Sequence, residues 1–308
     1  MSVPLTGGSR RVAEPGFTIV TASFNQARFL VETIQSVRDQ GRDDVEHLVL
    51  DGGSTDGSVD VLRANDDALT YWVSAPDGGQ ASAWNAGARL ARGRFVGFIN
   101  SDDLLLPGGI DALARLSTAE PGAEWLVGGT RYFGEGAPPL SYPGIPQASA
   151  AEVLYFASYA PQPGQFFARS LIDRLGGFDA SLRYSFDLDF FVRAALAGAR
   201  SVATPEVIAA FRFHGASKTV SQAGPHLAET RLVEARHWPA VLAREGRRAR
   251  RMRADYRGHK MMEASREALA AGSAADGWKL LSAALIAYPS ILATRAFYGT
   301  IQRLVGLR

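Results

Sequence analysis

The chain has 308 residues, 46% hydrophobic and 21% charged, proportions that exclude a disordered or collagen-like polymer and fit an ordinary globular protein. It has no cysteine, so disulfide frameworks, zinc-thiolate sites and cysteine nucleophiles are excluded together. The net charge of +2 hides an asymmetry, because residues 1–225 carry 18 basic and 24 acidic side chains (−6) and residues 226–308 carry 15 and 7 (+8).

The N-terminal stretch lacks the apolar core of a secretory signal, and no run reaches the roughly 18 to 20 apolar residues that span a bilayer. The expectation is a soluble, cytoplasmic protein. Thirty of the 33 basic residues are Arg, yet no base-reading motif or aromatic interleaving accompanies them, so no nucleic-acid partner is expected.

In chain order, residues 17–21 form an apolar β-branched run, and 28–38 carry apolar residues at helical spacing. The alternation recurs: strand 45–50, a glycine-rich turn, helix near 57–65, strand 69–73, helix near 79–91, strand 94–99. Short strands separated by helices predict right-handed crossovers and a mostly parallel α/β sheet covered on both faces. Residues 134–148 are rich in Pro and Gly and read as a loop. A further unit follows, with apolar 164–168, the turn 176–179, a helix near 187–198 and a strand near 206–213. From 226 onward the pattern is helical, with seven Arg between 244 and 257.

Ligands of such sheets bind beyond the carboxyl ends of the strands, where this sequence concentrates its polar residues: Ser23 and Asn25, Asp51 and Asp56, Asp77, and Asn100 to Asp103. Asp102 and Asp103 are adjacent carboxylates after a buried strand. They suggest a cation and a diphosphate between them, the usual way Mg²⁺ is held, although an Asp there also serves as a helix N-cap. Asp51 can accept hydrogen bonds from a nucleobase or ribose, whereas Asp56 reads as a turn and helix cap. Asn85 lies in a helix of small residues that let a backbone or a ligand approach, and either faces the cleft or packs. Asp187 and Asp189, two apart in a helix, do not share a face. Asp187 is assigned as a general base for an acceptor hydroxyl, and Asp189 is assigned to a salt bridge with Arg193. His214, ending a strand, is a structural residue or a metal ligand.

These segments resemble glycosyltransferase family 2. The elements match in order: TASFN (21–25), DGGSTDGS (51–58), DGGQASAWNAG (77–87), NSDD (100–103), GGFD (176–179), FDLDFFVR (186–193) and FRFHGASK (211–218). The resemblance covers about residues 17–220 and implies a GT-A fold; with the charge break and the helical pattern that follows, it sets a GT-A domain at 1–225 and a basic helical extension at 226–308. It implies a donor site of Thr21, Ser23, Asn25, Asp51, Asp77, Asn85, Ser101 and Asp102, with Asp51 on the base and Asp102 on the ribose or diphosphate. Asp103 and His214 would hold a divalent metal, Mg²⁺ or Mn²⁺, and Asp187 would be the catalytic base. The expected activity is transfer of a single sugar, with inversion, from a UDP-, GDP- or dTDP-linked donor to a glycan or glycolipid acceptor in surface polysaccharide assembly.

Asn100 stands where many relatives have Asp, and the Gln-x-x-Arg-Trp motif of processive synthases is absent. A nucleotide-sugar or glycan binding module without activity, and a nucleotidyltransferase, are the competing readings. The Arg-rich C-terminal segment, with Trp278 to Tyr288, Phe297, Tyr298, Leu304 and Leu307, either lies on an anionic membrane as basic amphipathic helices or packs on the domain or on a second copy in a homo-oligomer.

Overall fold

β-Branched and aromatic runs with no room for an exposed face set the first half of the chain. The computed structural model describes residues 4–147, 149–156, 161–215 and 223–288. In order they form β1 (Leu5–Gly7), β2 (Phe17–Ser23), α1 (Ala27–Arg38), β3 (Val45–Asp51), α2 (Ser58–Ala64), β4 (Tyr71–Ser74), α3 (Gln80–Leu90), β5 (Phe95–Phe98), β6 (Leu104–Leu105) and α4 (Gly109–Ala119). Then come β7 (Trp125–Gly134), β8 (Ser141–Tyr142), α5 (Ala150–Phe156), β9 (Gln165–Ala168), α6 (Arg169–Leu175), α7 (Phe186–Leu196), β10 (Ser201–Phe213), α8 (Ala223–Ala270) and α9 (Ala274–Ala287).

One sheet runs β1-β4-β3-β2-β5-β9-β7-β10-β6, with β8 on β7. Strands β4, β3, β2 and β5 pair in parallel, so their carboxyl ends share one edge, as the strand-helix alternation predicts. Successive side chains of a strand point to opposite faces, and both faces are covered. Val49 packs with Leu30, Ile34, Leu62, Leu69 and Trp72 under α1 and α2. The neighbouring Leu50 faces α3, where a Cβ on Gly87 would lie 2.3 Å from Val20 and 3.1 Å from Leu50. The small residues of α3 therefore serve close packing of helix on sheet.

The second half of the sheet is mixed. β9 is antiparallel to both β5 and β7, and β7 is parallel to β10. β7 has no counterpart in the pattern reading, because Gly128 and Gly129 interrupt its apolar run. The expected loop 134–148 contains β8, which pairs with β7 through Thr130 and Arg131.

Two compact units divide the chain, residues 1–237 and 238–308. The charge break placed the boundary at 225, but 226–237 belong with the first unit. His226, Glu229, Thr230, Val233, Arg236 and His237 recur at the spacing of one helix face. Val233 is fully buried, Tyr155 donates to Glu234 at 3.1 Å, and His237 pairs with Asp189 at 2.7 Å.

In the second unit α8 breaks at Gly246, whose φ of 53° is outside the helical region, and Arg253 lies 4.1 Å over the Trp238 ring. Met262, Leu281 and Ala284 form its core. Among the described residues no helix is long and apolar enough to cross a membrane. Residues 216–218 of the last motif, and Phe297, Tyr298, Leu304 and Leu307, lie outside the described residues.

Candidate active site

The edge where β2, β3, β4 and β5 end collects the predicted acids, and their hydrogen bonds separate scaffold from chemistry. Asp51 is 2% exposed. Its carboxylate accepts from the Gly53 and Ser54 N–H groups, the Ser54 hydroxyl and the Ser74 hydroxyl, so it shapes the glycine-rich turn from within. Asn25, at φ 53°, occupies the left-handed region that Asn tolerates better than most residues. Its Oδ1 accepts from the Thr55 N–H at 2.9 Å, and its own N–H donates to Ser54. Asn25 thus ties the β2 loop to the β3 loop. Asp56 takes the Ala27 N–H, the Ser58 N–H and the Ser58 hydroxyl, capping α1 and α2 as its turn pattern suggests.

Two predicted donor contacts are committed elsewhere. The Thr21 hydroxyl, fully buried, pairs with His47 Nε2 at 3.0 Å inside the β2-β3 ladder. The Asn85 amide donates to the Phe178 carbonyl and accepts the Phe178 N–H, both at 2.8 Å. This amide grips the 176–179 turn so closely that a Cβ on Gly177, itself at φ +75°, would meet Asn85 Oδ1 at 2.4 Å. Asn85 is therefore a packing residue that holds two motifs together.

Other groups stay available. Ser23 is 5% exposed, and its hydroxyl has no partner among the described residues. Asp77 is exposed, with one oxygen accepting the Gly79 N–H at 2.7 Å before α3. Beside it, and close to Gly52, stands Phe24, an aromatic ring 61% exposed. Such a ring at a strand end can stack on a flat ligand. Phe24 is a functional candidate that the acid-centred reading passed over, although its signal, an aromatic between Ser23 and Asn25, was present.

Past β5, the two carboxylates part. Asp103 is 1% exposed; one oxygen accepts the Arg212 N–H at 2.9 Å and the other the Asn100 amide at 3.0 Å. Burial pushes its carboxyl well up, the charge of Asp102 adds to this, and the two donors oppose it. Asn100 also accepts from Gln80 at 2.6 Å. An Asp at position 100 could not donate to Asp103, so the departure from the family pattern gives this turn its internal bond. Ser101, 4% exposed, gives its carbonyl to the Thr33 hydroxyl, as does Asp103. These bonds fix the turn on α1.

Asp102 instead points at His214: Oδ2 lies 2.9 Å from Nε2. The His214 ring packs 4.7 Å from Phe29. Arg212, also unread in the sequence, donates to the Asp102 carbonyl and to Glu32, its guanidinium lying over Phe29 and Phe133. His214 thus meets Asp102, and Asp103 is turned inward. Neighbouring ligands of one octahedral Mg²⁺ or Mn²⁺ stand about 3 Å apart, the Asp102–His214 separation, so this pair fits a shared cation. Among the described residues no group of three or more such side chains is assembled.

Asp187 begins α7. It is half-buried and accepts the Leu188 N–H at 2.8 Å, and burial pushes its carboxyl up. Phe186 packs at 5.0 Å on Trp84, which stacks at 4.7 Å on Phe98, the end of β5. This aromatic chain links the helix start to the strand end before Asn100. Asp189 faces away from Asp187, is 1% exposed, and accepts from Arg193 at 2.7 Å, His237 at 2.7 Å and Arg236 at 3.0 Å. Burial opposes ionisation there, but the His237 and Arg193 hydrogen bonds prevail and the carboxyl is pushed down to about 2.

A two-faced sheet with a parallel nucleotide-site half, an antiparallel crossing strand and acids at the shared edge is the GT-A architecture of glycosyltransferases. Comparison with known proteins agrees. The family model "Glycosyl transferase family 2" matches residues 18–145. An uncharacterized glycosyltransferase of Mycobacterium tuberculosis is 34% identical over 192 residues, 59% of this chain and 70% of the relative. A Bacillus subtilis glycosyltransferase, TuaG, named for teichuronic acid biosynthesis, is 32% identical over 93 residues, 29% of this chain and 37% of TuaG. Among solved structures, S. aureus TarS 1-349 with UDP-GlcNAc superposes with a TM-score of 0.63 at 17% identity, covering 94% of this chain and 89% of that one. The Pyrobaculum calidifontis mannosyltransferase PcManGT, with GDP-Man and Mn²⁺, gives 0.53 at 20% identity, covering 97% and 83%. The chain belongs to glycosyltransferase family 2, and its activity is glycosyl transfer.

Proposed function

We propose that the protein is a metal-dependent, inverting glycosyltransferase that adds one sugar from a nucleotide-sugar donor to a glycan or glycolipid hydroxyl. The observation that carries this reading is the Asp102–His214 pair, joined across 112 residues of sequence at the edge where the donor-site strands end. Asp102 and His214 would hold the Mg²⁺ or Mn²⁺ ion, which supplies charge neutralisation for the diphosphate leaving group. Ser23, Asp77 and Phe24 are the groups open to the nucleoside, with Asp51 holding the turn beside them. Asp187 takes the proton from the acceptor hydroxyl as its oxygen attacks the anomeric carbon and the bond to the diphosphate oxygen breaks. Attack opposite the leaving group inverts that centre. A carboxyl pushed up by burial suits a base, since a carboxylate of higher pKa holds the proton more firmly.

The donors bound in the structural neighbours, UDP-GlcNAc and GDP-Man, and the naming of TuaG support a nucleotide-sugar donor and a role in surface polysaccharide assembly. Exposed Arg247, Arg248, Arg250 and Arg251, with Trp278 43% and Ile286 85% exposed, support peripheral contact with an anionic membrane. Cosedimentation with phosphatidylglycerol vesicles, lost on deletion of 240–308, is the expected result; equal binding with the segment removed counts against that contact.

The test of function is a panel of UDP-, GDP- and dTDP-sugars, with and without Mn²⁺, read by the released nucleoside phosphate. Nucleoside diphosphate release that stops with chelator is expected. Pyrophosphate release would instead mark a nucleotidyltransferase, and binding without turnover a non-catalytic module.

A further inference from the structure

The first turns of α8 do more than close the first unit. Glu229, half-buried, directs both carboxylate oxygens at the chain entering α7. The Arg183 N–H donates to Oε1 at 2.9 Å and Oε2 at 3.0 Å, and the Tyr184 and Ser185 N–H groups donate to Oε2 at 2.7 and 3.0 Å. Three consecutive backbone donors thus converge on one side chain 44 to 46 residues later. A carboxylate is the acceptor that such a run of N–H groups favours, since charge-assisted bonds are roughly twice as strong as neutral ones.

Neighbouring α8 side chains reinforce the contact. The Ser185 hydroxyl meets the Thr230 hydroxyl at 3.1 Å, and the His226 ring stacks on Tyr184 with centroids 6.4 Å apart. Ser185 is the N-cap residue of α7 and makes no side-chain cap bond to its own helix. The backbone direction at Ser185 is therefore set from α8, and Asp187 follows two residues later.

We infer that Glu229 is a positioning residue for Asp187, fixing the start of α7 so that the base keeps one orientation toward the acceptor. The inference rests on the reading of Asp187 as the base. Burial pushes the Asp187 carboxyl up, the Leu188 N–H and His226 oppose it, and Glu229 lies close enough for its charge to add to the rise.

Full-length Glu229→Ala, Glu229→Gln, Asp187→Asn and the double variant Asp187→Asn/Glu229→Ala decide it. They are assayed with the panel sugar hydrolysed fastest, with Mn²⁺ and with water as acceptor, and donor binding is measured by calorimetry. Glu229→Ala should lower kcat about 10²-fold, the cost of a base misplaced by about 1 Å, while donor Kd and KM stay at the parent values. Glu229→Gln keeps one acceptor oxygen and should fall between parent and Glu229→Ala. The double variant should lose nothing beyond Asp187→Asn, because Glu229 acts through that side chain. Parental kcat in Glu229→Ala alongside a crippled Asp187→Asn overturns the positioning role alone, as do additive losses in the double variant. Parental hydrolysis by Asp187→Asn overturns the base assignment, and this inference with it. If Glu229→Ala fails to bind donor, Glu229→Gln decides: parental kcat overturns the role, and an intermediate kcat with parental Kd supports it.

Discussion

The end of β5 and the start of α7 each present two acids close in sequence, and each region treats its two differently. After β5, Asp103 has both oxygens occupied, whereas among the described residues the Asp102 carboxylate meets His214 through Oδ2. On α7, Asp189 is saturated by Arg193, Arg236 and His237, and Asp187 has the Leu188 N–H. In both places one carboxylate is committed to the scaffold, and the other is the one proposed for chemistry. What differs is the lock. Asp103 is held by a backbone N–H and an amide, too little against burial, and its carboxyl rises. Asp189 is held by cations and falls to about 2. A saturated carboxylate is thus not one electrostatic state, because the charge of its donors decides the direction.

The contrast breaks first at the open members. Asp187→Asn should lower transfer by about 10²–10⁴-fold, the range spanned by loss of a positioned acid-base group, and Asp102→Ala by about 10²-fold or more, from loss of several kcal/mol of metal charge stabilisation, both with the fold intact by circular dichroism. Wild-type turnover in either variant ends the assignment of that residue. Next comes the scaffold member of α7: Asp189→Asn removes the buried charge that faces Arg193, Arg236 and His237 and should cost about 3 kcal/mol in urea unfolding, the low end for breaking a buried pair, because Arg236 keeps Asp179 and Arg193 keeps the Leu175 and Gly177 carbonyls. A loss too small to measure would show that the cluster is incidental.

The same residue predicts a smaller, pH-linked effect. Because the folded-state carboxyl is depressed, its stabilisation is complete above the unfolded value near 3.8 and disappears as pH falls through about 2. It amounts to about 2 kcal/mol, read as the difference between wild type and Asp189→Asn in unfolding at pH 5 and pH 2. Last is the rate profile. As the proposed base Asp187 works as the anion, and its carboxyl is raised, so activity should fall on acidification at a pH above that of an ordinary aspartate. An acid limb at or below the ordinary value would contradict the burial that sets it. Asn85→Ala belongs on the scaffold side: it should lose about 1–3 kcal/mol of stability while donor affinity is unchanged.

Much of this was legible in the sequence. Periodicity located β2, β3, β4 and β5, with the helices between them, to within a few residues, and the two-residue spacing of Asp187 and Asp189 split them correctly between faces, with Arg193 as the salt-bridge partner of Asp189. Nothing local reveals that His47 and the Phe178 backbone take up the polar atoms of Thr21 and Asn85. Arg212 and Glu229 carry no local signal of what they meet, one being an Arg in an apolar strand and the other a Glu in an Arg-rich helix.

Local pattern, then, determined which segments are strands or helices and which carboxylates sit at strand ends, because side-chain period and turn chemistry act over a few residues. Tertiary structure alone decided that β9 runs antiparallel between β5 and β7, that His214 meets Asp102 and not Asp103, and that residues 226–237 join the first unit. Those outcomes depend on register and packing between segments far apart in the chain, where a shift of one residue turns a side chain to the opposite face.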